Sequence, residues 1–103
     1  MNIDYHLNRA KKMADNYQKL YIIEKYMKES LVNNELESNL YFHEYIPLLN
    51  ENYFDKSVKM DLYKLIKVRN KICHMEVLDI EEESLLKKCY RDIIKNNINL
   101  HSK

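Results

Sequence analysis

Arg69, Asn70 and His74 are the residues of this chain whose types and spacing best suit chemistry. A histidine titrates near neutral pH and can take or give a proton. A guanidinium keeps its charge and offers a rigid fork of donors to phosphate oxygens. Asn70 lies one helical turn before His74, on the same side, where it can orient the imidazole or a phosphate. Tyr63 lies seven residues before Asn70 on that stripe, where a ring can stack on a base or simply pack. Lys67 and Lys71 are near enough in sequence to hold flanking phosphates. Each residue also has a plainer use. A histidine near a helix C-terminus caps the last turn and suits the helix dipole. Arg69 can be matched inside the molecule by a carboxylate, with Glu24 and Asp61 as the two candidates.

These residues sit on the stretch from Asp61 to Asp79, DLYKLIKVRNKICHMEVLD. At 100° per residue, Val58, Leu62, Leu65, Ile66, Val68, Ile72 and Cys73 form one broad apolar face. Lys64, Lys67 and Lys71 fall opposite. Arg69 breaks the pattern, because it lies near the middle of the apolar face. A guanidinium cannot shed its charge there, so it requires a carboxylate, a phosphate or an interface. Arg69 and His74 are five residues apart, about 140° around a regular helix. A two-fold axis near this helix would bring two such pairs around one cleft and would account for an arginine on an apolar face.

The run Arg69-Asn70-Lys71-Ile72-Cys73-His74 resembles the signature of the HEPN superfamily, an arginine and a polar residue followed shortly by a histidine near a helix end. The local match covers Leu62 to Ile94. It departs at Met75, where relatives often carry a small residue. The resemblance implies an all-α fold and, for many members, a metal-independent endoribonuclease acting as a homodimer. RNA supplies its own nucleophile, the 2′-hydroxyl, so the protein must move protons and stabilise the charged phosphorane. The products would be a 2′,3′-cyclic phosphate and a 5′-hydroxyl. Arg69, His74 and Asn70 would be catalytic, with Tyr63, Lys67 and Lys71 on the RNA. Relatives of this type serve as toxins or phage-defence effectors, which implies a possible cognate antitoxin protein. Other HEPN-like domains bind nucleotides or partner proteins without cutting anything, and that alternative stays open.

Composition bounds these readings. The 103 residues suit one domain, 1–103. No run of 18 apolar residues is present, so no membrane span is expected. The N-terminus lacks the apolar core of a signal peptide, which makes the cytoplasm the default location. The net charge of +1 argues against a passive nucleic-acid coat. Four histidines show no close zinc-ligand spacing, so neither a metal nor another cofactor is expected. Cys73 and Cys89 both occupy apolar helical positions and read as small core residues. Gly is absent, so hairpins and Gly-rich phosphate loops are disfavoured and Asn must end helices.

The elements that would position the motif form an antiparallel bundle of four to five helices. The first runs from Asn2 to Leu31 as one helix, with an apolar stripe of Ile3, Leu7, Ala10, Ala14, Tyr17 and Tyr21 continued by Leu20, Met27 and Leu31. Asp15 with Gln18 offers a capping box that would split it, but the apolar face continues across that point. Asn33-Asn34 ends it. A second helix spans Glu35 to Ile46, with Leu36, Leu40, Phe42, His43 and Ile46 inward, and stops at Pro47. Leu48 to Phe54 is a connection too apolar to float free. Asp55 caps a third helix, Lys56 to His74. Met75 to Asp79 is a turn, and Asp79 with Glu82 boxes the start of a fourth helix from Ile80. Leu85, Leu86, Cys89, Tyr90, Ile93 and Ile94 face its core, and the tail from Asn97 to Lys103 frays. Lys88, Arg91 and Lys95 form a basic stripe that reads as a solvated face. His43 reads as a packed histidine, His6 and His101 as inert.

Overall fold

The computed structural model describes residues 2–31 and 40–101, the side chains of 98–101 excepted. Among the described residues, four α-helices follow in order: α1 Ile3–Ser30, α2 Phe42–Tyr45, α3 Lys56–Cys73 and α4 Ile80–His101, with a 3-10 turn at Ile46–Leu48. The fold is an all-α bundle. Among the described residues, no helix is long and apolar enough to cross a membrane.

α1 is one unbroken helix of 28 residues, about 42 Å at 1.5 Å per residue. The Asn2 side chain caps it by accepting from the Tyr5 amide at 3.1 Å. Asp15 pairs with Lys19 one turn on, so its carboxylate supports the helix interior and does not start a second helix. The expected start of the second helix is revised. Leu40 and Tyr41 are not helical, and α2 begins at Phe42. The Tyr41 amide donates to the Glu44 carboxylate at 2.9 Å, which ends the extended segment there. Asn33-Asn34 and Glu35 to Asn39 lie outside the described residues. Pro47 tightens the chain into the 3-10 turn, which closes at Leu48.

α3 starts where the sequence places it, with Asp55 Oδ1 accepting from the Val58 amide at 2.9 Å. The α4 box is also present: Asp79 Oδ1 accepts from the Glu82 amide at 2.8 Å, and the Asp79 amide donates to Glu82 at 2.9 Å. α4 does not fray at Asn97 but continues to His101.

Contacts between the helices set their directions. Lys12 reaches Glu83, and Lys19 lies over the Tyr90 ring with the same residue offset, so α1 and α4 run parallel. Arg69 meets Glu24, while Ile72, Met75 and Glu76 border Asn16 and Tyr17, so α3 runs antiparallel to both. The core is formed by Leu20, Ile23, Met27 and Leu31 of α1, Leu62, Leu65 and Val68 of α3, and Leu86, Cys89 and Ile93 of α4. Phe42, Tyr45, Ile46, Leu49 and Phe54 close it from the connecting segment. This core sits toward the C-terminal end of α1.

Several expected core positions face solvent instead. Ile3, Leu7, Tyr17 and Tyr21 are exposed, with Ala10 and Ala14 between them. The buried seam of α1 is a second one, Asn16, Leu20, Ile23 and Met27. It lies about 120° around the helix from the expected stripe. His43 and Cys73 are exposed, and Ile94 lies at the rim. Cys89 is buried as expected, and burial, followed by the nearby Asp61 and Asp92 carboxylates, pushes its thiol up to about 12. It is therefore an inert thiol.

Candidate functional site

The site is built on the last two turns of α3. Arg69 lies at the edge of the buried face, next to Leu62, Leu65 and Val68. Its Nε donates to Glu24 Oε1 at 2.9 Å, across the α1–α3 seam. The hydrogen bond to Glu24 raises the guanidinium further above its already high range, against the smaller opposing effect of burial. The Arg69 side chain stays 32 % exposed. Its two Nη groups take no protein acceptor among the described residues, so the outer edge of the fork reaches solvent. Of the two carboxylates weighed, Glu24 is therefore the partner. Asp61 is buried and has Lys88 Nζ 2.8 Å from Oδ2, off the axis of a hydrogen bond, so that contact is an ion pair. Because Glu24 comes from the same chain, the position of Arg69 does not itself require a second copy.

His74 is the C-cap of α3 and is exposed. Its amide donates to the Asn70 and Lys71 carbonyls, each at 3.1 Å. The next residue, Met75, takes φ 59, the left-handed conformation that usually falls to glycine. Its amide donates to Ile72 and that of Glu76 to Lys71, at 3.1 and 2.8 Å. This is a complete Schellman closure, built in a chain that has no glycine to use. The departure from the family pattern at Met75 thus leaves the turn intact.

Tyr63, Lys67, Asn70 and His74 share the outer side of α3 and are all exposed. Arg69 points away from them, toward α1, as five helical residues dictate. Lys71 is engaged elsewhere. Its Nζ lies 2.9 Å from Glu82, and that hydrogen bond raises the ammonium above its usual range. The same carboxylate accepts from the Asp79 amide and then from Lys71, which together hold it below the ordinary carboxylate range. Lys71 thus ties the end of α3 to the start of α4. Nothing in the sequence spacing announced this tie, since a helical period relates residues within one helix and not across a turn.

Among the described residues, no three His, Cys, Asp or Glu side chains cluster as metal ligands would. A dent of 210 Å³ lies beside the motif, lined by Met13, Ala14, Asn16 and Tyr17 of α1 and by Ile72, Met75 and Glu76. No family model, curated protein or solved structure matches this chain. The resemblance to HEPN domains therefore rests on Arg69, Asn70 and His74 and on the helix end that carries them.

Proposed function

We propose that the chain is a cytoplasmic, HEPN-like, metal-independent endoribonuclease of the toxin or phage-defence type. The observation that carries the reading is Arg69 itself. It is anchored through Nε to Glu24 with its outer edge open, five residues before an exposed histidine at a helix end. A carboxylate on Nε fixes the direction of the fork while leaving the Nη edge for phosphate oxygens. Because Arg69 and His74 diverge on α3, a two-fold axis near this helix would bring His74 of a second copy to the fork. There it would move the proton of the 2′-hydroxyl or of the departing 5′-oxygen. Asn70 would orient the imidazole or the phosphate. Tyr63 and Lys67 line the outer side of α3 along which a strand would run, and Lys71 would contribute only after exchanging Glu82 for a phosphate. RNA is the partner, and a cognate antitoxin protein would be the regulator.

The second reading is a non-catalytic interaction module, and a specific observation favours it. Met75, Val77 and Ile80 are exposed apolar side chains near the α3–α4 turn, which suit a protein partner.

The test is purified protein incubated with total RNA in EDTA, followed by analysis of product ends. Wild type should leave 2′,3′-cyclic phosphates, and His74→Ala should not. His74 is exposed, so this variant should keep its fold. Arg69→Lys should lose most of the activity because a point charge cannot reproduce the fork. Cleavage unchanged in both variants would remove the site assignment. Folded wild type that cleaves no RNA would favour the interaction module.

A further inference from the structure

The exposed stripe on α1 has a spacing of its own. Ile3, Leu7, Ala10, Ala14, Tyr17 and Tyr21 recur at intervals of four, three, four, three and four residues. That is the 3.5-residue repeat of a helix that packs along another helix, sustained for nearly three heptads. Among the described residues, no element covers it. The side chains of Ile3, Leu7, Tyr17 and Tyr21 are 56 %, 52 %, 57 % and 49 % exposed. The α1–α4 register sets Ile80 level with Arg9, so the first turns of α1 also project past the start of α4. Two unsupported turns are marginal as an isolated helix, yet this end carries the aliphatic half of the stripe.

We infer that this stripe is a seam for a second copy of the chain, with the two α1 helices packed antiparallel about a two-fold axis at the level of Lys12. The residues choose both the partner and the direction. In the antiparallel register every stripe residue meets another stripe residue. Ile3 meets Tyr21 of the other copy, Leu7 meets Tyr17, and Ala10 meets Ala14. Each large layer then joins an aliphatic side chain to a tyrosine, and the centre holds only alanines, which let the helices approach closely. A parallel pair would instead stack tyrosine on tyrosine at one end and leave the small residues off any axis. Only a self-complementary surface repeats on both sides of a two-fold interface.

The surroundings fit the same occupant. The two-fold sets Leu7 of the second copy beside Tyr17 and Ala14, where the dent between α1 and the α3 end opens. Met75, exposed at that rim, gains a cover. The four large side chains offer on the order of 500 Å² per chain, below the roughly 800 Å² per partner of a standard interface. The dimer should therefore dissociate on dilution. Lys11 meets its own copy beside the axis, so added salt should tighten the pair.

Sedimentation equilibrium over a concentration series reads the mass directly and does not depend on any RNA cleavage. Wild type should move from monomer to dimer, and Leu7→Glu should raise the dissociation constant at least tenfold with an unchanged helical spectrum. Direction is read by disulfide trapping in a Cys73→Ser background. Leu7→Cys and Tyr17→Cys should each stay uncrosslinked alone and form a linked dimer when mixed. A folded wild type that remains monomeric at high concentration, or a dimer indifferent to Leu7→Glu, overturns the seam. Crosslinking of Leu7→Cys to itself overturns the antiparallel pairing.

Discussion

Two stripes along α1 meet opposite fates. From Asn16 to Met27 one stripe is sealed under α3 and α4, and Ile23 and Met27 have no exposure at all. From Ile3 to Tyr21 the other lies in solvent. The difference extends to the whole molecule. One end is held by burial, with Phe42, Ile46 and Phe54 closing the core. The other end, around the α3–α4 turn, is held by polar devices: the Schellman closure at Met75, the box of Asp79 and Glu82, and the ties Lys71–Glu82 and Lys12–Glu83. An end built this way keeps its shape while leaving apolar surface for something else to cover.

The largest expected effect would break this contrast if it failed. Ile23→Ala removes a fully buried side chain and should cost about 2–5 kcal/mol of stability. Leu7→Ala, measured dilute enough to keep the chain monomeric, should stay within about 0.5 kcal/mol of wild type. Urea unfolding of the two variants gives both numbers. Similar losses from both would mean that Leu7 is covered within one chain.

The sequence was most legible where a side chain answers its own backbone. Asp55 and Asp79 with Glu82 act within a turn of their position, and each stands where local chemistry put it. It was least legible where a choice lay between elements. Periodicity finds the stripes of α1 but not which one meets α3. A helix with two apolar stripes offers both, and the stripe flanked by Leu20 and Ile23 prevails because it alone continues to Met27 and Leu31, opposite the body of α3. His43 and Cys73, each placed on an apolar face by the same periodicity, are likewise exposed. For the site, an arginine needing a carboxylate was legible, and Glu24 was one of two choices. That Lys71 would be taken by Glu82 was not.

The polar end can be sharpened at Met75. A side chain at φ 59 crowds the carbonyl that follows, by roughly 1–2 kcal/mol, and glycine does not. Glycine also gives the unfolded chain more freedom, which offsets part of the gain. Met75→Gly should therefore raise stability by about 0.5 kcal/mol. Met75→Val, branched at Cβ, should lower it. A thermal scan of the three proteins should order them Gly, Met, Val. Any other order would mean that the turn relaxes out of the left-handed region.

The smallest effect concerns pH and separates the two ends most cleanly. Glu82 is held below the ordinary carboxylate range, first by the Asp79 amide and next by Lys71. A carboxylate whose folded value lies below its unfolded value contributes stability that is complete above the unfolded value. That contribution is lost as pH falls through the folded one. Glu82→Gln keeps an acceptor for the Asp79 amide but loses the charge facing Lys71. Wild type should therefore melt higher than Glu82→Gln near neutral pH, and the gap should close between roughly pH 5 and pH 3. Ile23→Ala, whose loss is apolar, should stay displaced from wild type by a nearly constant amount over the same range. If instead the gap between wild type and Glu82→Gln were constant with pH, the carboxylate would be acting as a neutral acceptor only. The turn would then owe its shape to the Schellman closure and not to the tie between α3 and α4.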